Sequence, residues 1–217
     1  MSPAAFRGRR VLITSGPTRE LLDPVRFLTN ASSGAMGFAL AAAARRLGAR
    51  VTVVSGPTAL PAPRGVEVVP VVTALQMRRE VLRRVRASDL VVGAAAVCDW
   101  RVARVPRHKI KREPGRLRLT LVPNPDIIKD AAGRRRRGQI FVGFALETRH
   151  AAAHARAKLA RKGLDLVVAN GPASLASSRA RVTLVGRDGD RSLPEMSKAR
   201  AARAILAEAG RLFEQGT

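Results

Sequence analysis

A dense group of chemically active side chains lies between the first apolar strand of the sequence and the helix that follows it. The strand, VLIT, covers residues 11–14, and the alanine-rich helix covers residues 35–48. A dinucleotide-binding fold needs only a short turn between these two elements. Here the connection carries side chains that donate, accept or bear charge, and we interpret it as a functional site: Thr18, Arg19, Glu20, Asp23, Arg26 and Asn30.

Three small residues, Ser32, Ser33 and Gly34, stand directly before this helix. The first turn of a helix exposes backbone N–H groups, and its dipole favours negative charge there. Hydroxyl groups and a glycine at such a position let an anion approach the backbone closely. The segment therefore predicts a binding site for a phosphate group.

A second candidate lies at the end of the apolar strand at residues 90–97, where GAAAVCDW (residues 93–100) ends the strand with small residues and then an acid. Gly93, Ala94 and Ala95 would let a ligand lie against the backbone. Asp99 could ligate magnesium or meet a ribose hydroxyl. The alternative is structural, with small residues accommodating a helix and Asp99 closing a turn.

The segment HKIKRE (residues 108–113) places two lysines on one side of an extended chain. Lys109 and Lys111 then face one way and Ile110 the other. Such a segment can bring cations onto a phosphate from a mobile flap. In so basic a chain the alternative is a solvated turn.

The segment VPNPDII (residues 122–128) has the pattern of a helix start. Asn124 is the expected N-cap, with Pro125 at the first helical position and Asp126 after it. A capped N-terminus remains an anion site, so capping and nucleotide binding are compatible here.

Further candidates surround the strand at residues 139–145. Phe144, near its end, could stack on a nucleobase or belong to the core. Lys158 and Lys162 are four residues apart on one face of the predicted helix 148–163, which could be a ligand site or a solvated face.

The order of the predicted elements indicates the fold class. Short apolar strands rich in β-branched residues are expected at 11–14, 51–56, 90–97, 139–145 and 164–170, as in a sheet buried on both faces. Helical patterns separate them at 35–48, 73–87, 125–132 and 148–163. This alternation predicts an α/β fold with a Rossmann-like, doubly wound, mostly parallel sheet that binds ligands at the carboxyl ends of its strands.

Residues 98–122 break the alternation and predict a β flap that protrudes from the main sheet. Residues 1–9 are expected to be a basic tail, and residues 181–194 a hairpin with an Asp188-Gly189 turn. A last helix is expected from 197 to about 213. With 217 residues, we expect one domain over 1–217.

The formal net charge of +24 raises the question of a nucleic-acid partner. The cations are spread along the chain, and the densest run, GRRRRG at 133–138, has the pattern of a solvated turn. Aromatic residues that could stack on bases are scarce, with no tyrosine and one tryptophan. We therefore favour a bias toward arginine together with attraction of small anionic substrates over nucleic-acid binding.

Cysteine and hydropathy limit the remaining classes. The single Cys98 cannot form an internal disulfide, which suits a reducing cytoplasm. Three scattered histidines give no metal-ligand spacing, and no apolar run approaches the roughly 20 residues of a membrane span. We expect a cytoplasmic protein without a membrane partner.

Seven segments, taken in order, resemble one family. They are SGPTRE, DPVRFLTNASSGAMG, AAAVCDW, HKIKR, NPDI, VGFALET and ARKGLDLVVAN. Together the segments resemble phosphopantothenoylcysteine synthetase, the phosphopantothenate–cysteine ligase of coenzyme A biosynthesis, over residues 9–213. In many bacteria this domain follows a flavin-dependent decarboxylase, and nothing in these residues resembles that half. A separate decarboxylase is therefore open as a partner.

The resemblance implies a reaction between 4′-phosphopantothenate and L-cysteine. A nucleoside triphosphate, CTP in most bacterial members and ATP in animal ones, activates the carboxylate as an acyl-nucleotidyl intermediate and releases pyrophosphate. The amine of cysteine then displaces the nucleotide. Mg²⁺ is expected with the triphosphate. The alternatives are the same ligase with ATP, or a non-catalytic relative that binds nucleotides or nucleic acid.

The resemblance also implies roles at matching positions. Lys109 is expected to stabilise the α-phosphate, and Asn30 to orient the pantothenoyl carboxyl. The family is dimeric, and Arg26 could complete the phosphopantothenate site of the neighbouring subunit. The phosphate of phosphopantothenate is expected at Ser32, Ser33 and Gly34. The nucleotide is expected at Gly93, Ala94, Ala95, Asp99 (also for Mg²⁺), Lys109, Pro125, Asp126, Phe144, Lys158 and Lys162.

Three positions depart from the common family pattern. Ala35 stands where many relatives carry lysine, Arg112 replaces another lysine, and Cys98 replaces alanine or serine. We expect these changes to alter affinity or nucleotide preference more than the type of reaction. Cys98 has no histidine placed beside it by sequence and is not expected to be a nucleophile.

Overall fold

The computed structural model describes residues 3–112, 114–146, 150–174 and 177–216. Short 3₁₀ turns occur at Pro3–Phe6, Val85–Ala87 and Pro172–Ser174. In chain order the longer elements are β1 (Arg10–Ser15), β2 (Arg19–Leu21), β3 (Phe27–Thr29), α1 (Ala35–Arg46), β4 (Arg50–Ser55), β5 (Glu67–Pro70), α2 (Ala74–Arg84), β6 (Leu90–Gly93), β7 (Trp100–Val102), β8 (Leu121–Pro123), α3 (Ile127–Ala132), β9 (Ile140–Leu146), α4 (Ala151–Lys162), β10 (Leu166–Asn170), β11 (Arg179–Gly186), β12 (Gly189–Ser197) and α5 (Lys198–Glu214).

The main sheet has the strand order β12-β11-β10-β9-β6-β1-β4-β5. Six neighbouring strands run parallel, namely β10, β9, β6, β1, β4 and β5. β11 and β12 extend one edge of the sheet in antiparallel pairing. Numbered along the chain, the parallel strands have the order 3-2-1-4-5-6, which is that of a Rossmann fold. The predicted fold class is confirmed, and the strand order reverses between β1 and β6.

Burial on both faces explains why the central strands are continuously apolar. Val11 and Ile13 of β1 pack into the core on the face of α1 and α5, while Leu12 packs into the opposite core. That second core contains Met77 of α2 and Ala155 of α4, and the other parallel central strands alternate in the same way. The sheet is therefore covered by helices on its two sides.

Three short strands are not predicted from the sequence. β5 is an edge strand with two exposed residues, Glu67 and Pro70, so it has no apolar run. β2 and β3 form a small antiparallel hairpin within the polar connection after β1. Each has only three residues and mixed burial, too short for a periodic signal.

Two predicted boundaries are wrong near the carboxyl ends of the strands. β6 ends at Gly93 rather than at residue 97, because Ala95 donates its N–H to the hydroxyl of Thr14 and only Ala96 pairs again, in an isolated bridge with Pro17. α3 begins at Ile127, with Asp126 as its N-cap through a bond that its Oδ1 accepts from Lys129 N–H. Asn124, the predicted cap, instead donates from Nδ2 to the carbonyl of Cys98 at 2.9 Å.

Two basic segments, predicted as a tail and a solvated turn, contact the rest of the protein instead. Phe6, in the expected tail, is fully buried and packs edge-on against Phe213 of α5. In the expected solvated turn, Arg135 pairs with the buried Asp165 at 2.6 Å, and Arg136 pairs with Asp89. Part of the arginine excess is therefore structural.

The flap is confirmed, with a stem formed by β7 and β8 in antiparallel pairing. The described residues between these strands form no further helix or strand. The late hairpin is also confirmed, although Gly186 pairs with Gly189, so the turn is Arg187-Asp188. α4 is described from Ala151, and the predicted helix residues 148 and 149 lie outside the described ranges.

Within the described ranges, no helix combines the length and the apolar character needed to cross a membrane.

The loops after β1 and β4 are pressed together at a glycine. A Cβ atom at Gly56 would lie 1.8 Å from the carbonyl oxygen of Pro17. Gly56 also donates its N–H to the carbonyl of Ser15 at 2.9 Å. Any side chain here would push the two backbones apart.

We expect Gly56→Ala to lower the free energy of unfolding by about 1–3 kcal/mol, the usual cost of overpacking. Urea denaturation measures this change. Gly133→Ala is the matched control, because its Cβ would meet nothing closer than 3.6 Å and its φ is −64°. Equal stability of the two variants would contradict the close approach.

Candidate functional site

Two adjoining cavities lie at the carboxyl ends of the parallel strands, where the strand order reverses. We define the first cavity, of about 390 Å³, by the start of α1, the loop after β6 and the end of β10. We define the second cavity, of about 550 Å³, by the flap stem, the start of α3 and α4. This is the position at which an open α/β sheet binds ligands. Residues of both walls are Ala95, Val97, Asp99, Phe144 and Lys158.

The start of α1 forms one wall of the first cavity. Gly34, the N-cap, has φ of +78°, and its carbonyl accepts a bond from Ser15 Oγ at 3.0 Å. A Cβ atom at Gly37 would lie 2.3 Å from that same Oγ. Because both positions are glycine, the N-terminus of α1 packs directly against the end of β1. Ser32 and Ser33 line the cavity beside it.

Asn30 is fixed against the loop after β6. Its Nδ2 donates to the carbonyl oxygen of Ala96 at 3.0 Å. The same carbonyl accepts the N–H of Thr18, and the Ala96 N–H donates to the carbonyl of Gly16. The side chain of Asn30 is therefore held at the wall of the first cavity by a backbone that is itself fixed.

The junction between the two cavities carries both signs of charge. Asp99 is exposed there, and Lys158 of α4 donates from Nζ to the carbonyl of Phe144 in β9. Because these residues line both cavities, molecules bound in each would meet at the same carboxylate, ring and ammonium group. The junction suits a transfer between two ligands.

The second cavity contains an ion pair between two predicted site residues. Lys162 Nζ lies 2.7 Å from Asp126 Oδ2, which joins the end of α4 to the start of α3. Pro125 and Gly93 lie on the same wall. A ligand that enters this cavity meets a charge pair already in place.

The structure brings most of the predicted site residues together and leaves two outside. Lys109 is exposed on the flap, and Arg26 pairs with Asp23 at 2.6 Å in the β2–β3 turn. Neither residue lines the two cavities. Those that do are Asn30, Ser32, Ser33, Gly34, Gly93, Ala94, Ala95, Asp99, Pro125, Asp126, Phe144, Lys158 and Lys162.

Three residues at the far end of the first cavity are missed by sequence reasoning. Lys198 opens α5 with only 8% of its surface exposed, and burial lowers the pKa of its ammonium group. Asn170, at the end of β10, donates to Ser174 Oγ at 2.6 Å. Asn170 closes a segment already matched to the family, but no local pattern marks Lys198, which tertiary packing alone brings to the cavity.

Cys98 lies beneath the flap stem and is buried. Its Sγ lies 3.8 Å from the carbonyl oxygens of Thr18 and Leu28, and burial raises the pKa of the thiol above its usual value. A raised pKa keeps the thiol protonated at neutral pH, so Cys98 lacks the thiolate that a nucleophile requires.

Metal binding would depend on few protein ligands. Among the described residues there is no group of three or more His, Cys, Asp or Glu side chains that could hold a metal ion. Asp99 is the acid that both cavities share. A single carboxylate suits Mg²⁺ that is bound mainly by phosphate oxygens.

Comparison with known proteins gives close matches over nearly the whole chain. The chain is 46% identical over 218 residues to the coenzyme A biosynthesis bifunctional protein CoaBC of Bacillus subtilis (strain 168), covering 98% of this chain and 53% of that protein. For the protein of the same name from Vibrio cholerae, identity is 44%, with coverage of 94% and 53%. The chain thus spans about half the length of these curated relatives.

A solved structure matches the fold over nearly its full extent. The crystal structure of the C-terminal domain of a coenzyme A biosynthesis bifunctional protein CoaBC has a TM-score of 0.83 and 38% identity, covering 97% of this chain and 98% of that one. The family model of the DNA/pantothenate metabolism flavoprotein C-terminal domain matches residues 6–212. The chain therefore belongs to this family, the phosphopantothenoylcysteine synthetase part of the CoaBC proteins, as its seven segments predict.

Proposed function

We propose that the chain is a ligase that joins 4′-phosphopantothenate to L-cysteine, with CTP as the activating nucleotide and an acyl-CMP intermediate. The observation that carries the proposal is the pair of adjoining cavities that share Asp99, Phe144 and Lys158. Such a pair suits a reaction in which a carboxylate and a nucleotide must meet. Family membership and the name of the relatives, coenzyme A biosynthesis protein, support the same reaction.

The second cavity would hold the nucleotide. Its wall combines small residues, which permit close approach of a ribose or base, with the ring of Phe144. Lys158 and Lys162 supply positive charge from one face of α4. Lys162 would exchange Asp126 for a phosphate oxygen, or bridge the two.

The first cavity would hold 4′-phosphopantothenate. Its phosphate would lie at the N-terminus of α1, near Ser32, Ser33 and Gly34, where the helix dipole and backbone N–H groups favour an anion. The carboxylate would then extend toward Asn30 and the junction. This orientation directs the reacting carboxylate at the nucleotide.

The reaction would proceed in two displacements. A carboxylate oxygen attacks the α-phosphorus of CTP, and the bond to the bridging oxygen breaks, so pyrophosphate leaves with the electron pair. The amine of cysteine then attacks the acyl carbon, CMP leaves, and the nitrogen loses a proton. Negative charge develops on the α-phosphate in the first step. Lys109, carried by the flap, would stabilise that charge, and one well-placed donor contributes about 3 kcal/mol.

Mg²⁺ fits the site through Asp99. The carboxylate lies at the junction and would bind the ion together with triphosphate oxygens, the arrangement that Mg²⁺ prefers. When bound, the ion would supply charge neutralisation on the phosphates.

A homodimer is also proposed. Several apolar side chains around the β2–β3 hairpin are exposed, among them Val25 and Phe27. An exposed apolar patch beside a binding site is typical of a subunit interface. We also propose a flavin-dependent decarboxylase that acts on the product as a partner, because the curated relatives are named bifunctional.

The test is pyrophosphate release from the purified protein with 4′-phosphopantothenate, Mg²⁺ and cysteine, with CTP or ATP supplied in parallel. Turnover with CTP supports the proposal, and turnover with ATP alone assigns the other nucleotide. If the folded protein releases no pyrophosphate with either nucleotide, the result favours a relative that binds nucleotides or nucleic acid, and that binding would fall steeply with salt.

We expect Lys109→Gln to lower the rate of pyrophosphate release by about 10²-fold or more, because one charge-stabilising donor is lost. Arg118→Gln is the control elsewhere on the flap, and it should retain activity within about threefold, because Arg118 is an exposed residue outside the segment that carries Lys109. A Lys109→Gln enzyme with near-normal turnover would remove this residue from the mechanism.

We expect Asn30→Asp to slow the second displacement, because the side chain loses its donor to the carbonyl of Ala96 and gains a charge beside the acyl group. Acyl-nucleotide should then accumulate and be detectable by mass spectrometry. Wild-type enzyme without cysteine provides the reference signal. Normal product formation without accumulation would contradict the assigned role.

We expect Cys98→Ala to keep turnover within about threefold of wild type, because a buried thiol with a raised pKa cannot act as a nucleophile. Steady-state assays at pH 7–8 measure this. A loss of two orders of magnitude in a folded variant would instead indicate a covalent thioester step.

A further inference from the structure

The turn between β2 and β3 is closed by the side chain of Asp23. Its Oδ1 accepts the N–H groups of Val25 and Arg26, each at 2.8 Å. The carboxylate has no exposed surface although it lies in a surface turn. An aspartate that bonds to following N–H groups in this way is a common turn-forming device, and it uses only one of the two oxygens.

The second oxygen of Asp23 reaches the flap. Oδ2 accepts from the guanidinium of Arg26, at 3.0 Å from Nε and 2.6 Å from Nη2, and from the N–H of Ile110 at 3.1 Å. Arg26 Nη2 also donates to the carbonyl of Ile110 at 2.8 Å. Both backbone polar groups of Ile110, the neighbour of Lys109, are therefore bound to the β2–β3 turn.

This contact is strong for a surface loop. The hydrogen bonds from the Arg26 side chain, with those from backbone N–H groups, hold the pKa of the Asp23 carboxyl well below its usual range. Asp23 is then ionised throughout the neutral range, and each bond to it is charge-assisted.

The same hairpin is anchored at its other end to the candidate site. Glu20 of β2 is buried and accepts the N–H of Ala74, the first residue of α2, at 2.9 Å. Thr29 of β3 donates to the carbonyl of Thr18. Asn30, directly after β3, donates to Ala96. The hairpin is thus a rigid link between the wall of the first cavity and the flap tip.

We propose that Asp23 is a positioning residue that holds the flap tip, through Ile110, in register with Asn30, so that Lys109 is presented to the reacting phosphate. The inference rests on the proposed function of Lys109 and Asn30. It gives Arg26 a role within its own subunit, as the bridge between Asp23 and the flap. A displacement of about 1 Å in a reacting group can cost 10²-fold in rate, so such a tether has a direct effect on turnover.

Asp23→Asn separates the two functions of this side chain. The asparagine oxygen can still close the turn, because asparagine forms the same kind of turn. Its amide group cannot accept the bonds from Arg26 and Ile110, since NH₂ is a donor only. The variant therefore releases the flap while leaving the hairpin folded.

The test combines hydrogen exchange with kinetics. In Asp23→Asn we expect the amide of Ile110 to exchange at least about tenfold faster, and the rate of pyrophosphate release to fall about tenfold or more. Combined with Lys109→Gln, the Asp23 variant should add no further loss, because both act through the same group. Additive losses, or full activity with faster exchange, would overturn the inference.

Two further variants keep the outcome unambiguous. Ile110→Pro removes the N–H group that donates to Asp23, at a position outside the sheet. It therefore tests the contact between the flap and Asp23 even if Asp23→Asn fails to fold. Unchanged turnover in this variant overturns the inference. Asp165→Asn removes a different buried carboxylate, paired with Arg135, and should leave exchange at Ile110 unchanged. If the wild-type protein releases no pyrophosphate with CTP or ATP, the proposed function is wrong. If the wild type is active and the losses caused by Asp23→Asn and Lys109→Gln are additive, only the role of Asp23 is wrong.

Discussion

Backbone pairing beyond the ends of β1 and β6 is the contact on which the site depends. Pro17 and Ala96 form a parallel bridge, with the Ala96 N–H donating to Gly16 and the Ala96 carbonyl accepting from Thr18. This bridge continues the sheet by one step at the point where its strand order reverses. It holds the loop after β6, whose Ala95 and Val97 line both cavities, and Asn30 donates to the same carbonyl of Ala96.

The walls of the site are held in place by contacts between segments that are distant in the sequence. Glycines at positions 34 and 37 let α1 pack against the end of β1, so the N-terminus of this helix has a fixed place at the first cavity. The flap begins directly after Asp99 and ends at Asn124. Asn124 donates its N–H to the carbonyl of Asp99 and its Nδ2 to the carbonyl of Cys98, which closes the base of the flap. Charge on the flap is therefore tied to the cavity at its base and to the β2–β3 turn at its tip.

Much of the fold follows from the sequence because the parallel strands are buried on both faces and are continuously apolar. The short strands β2, β3 and β5 are not predictable in this way, since half-exposed segments of three or four residues carry no period. Most of the predicted site residues line the two cavities, and they come from segments that match the family, because their local patterns alone leave structural alternatives open. Lys198 and the second oxygen of Asp23 depend on tertiary contacts between remote segments, and no local pattern encodes them.

The central claim is that the two adjoining cavities hold the two substrates of one reaction. A crystal structure with 4′-phosphopantothenate and the unreactive analogue α,β-methylene-CTP tests it most directly. We predict the nucleotide in the second cavity and phosphopantothenate in the first, with its phosphate at the start of α1 and its carboxylate facing the α-phosphate beside Asp99. Either ligand bound outside these cavities, or the carboxylate directed away from the nucleotide, would contradict the account.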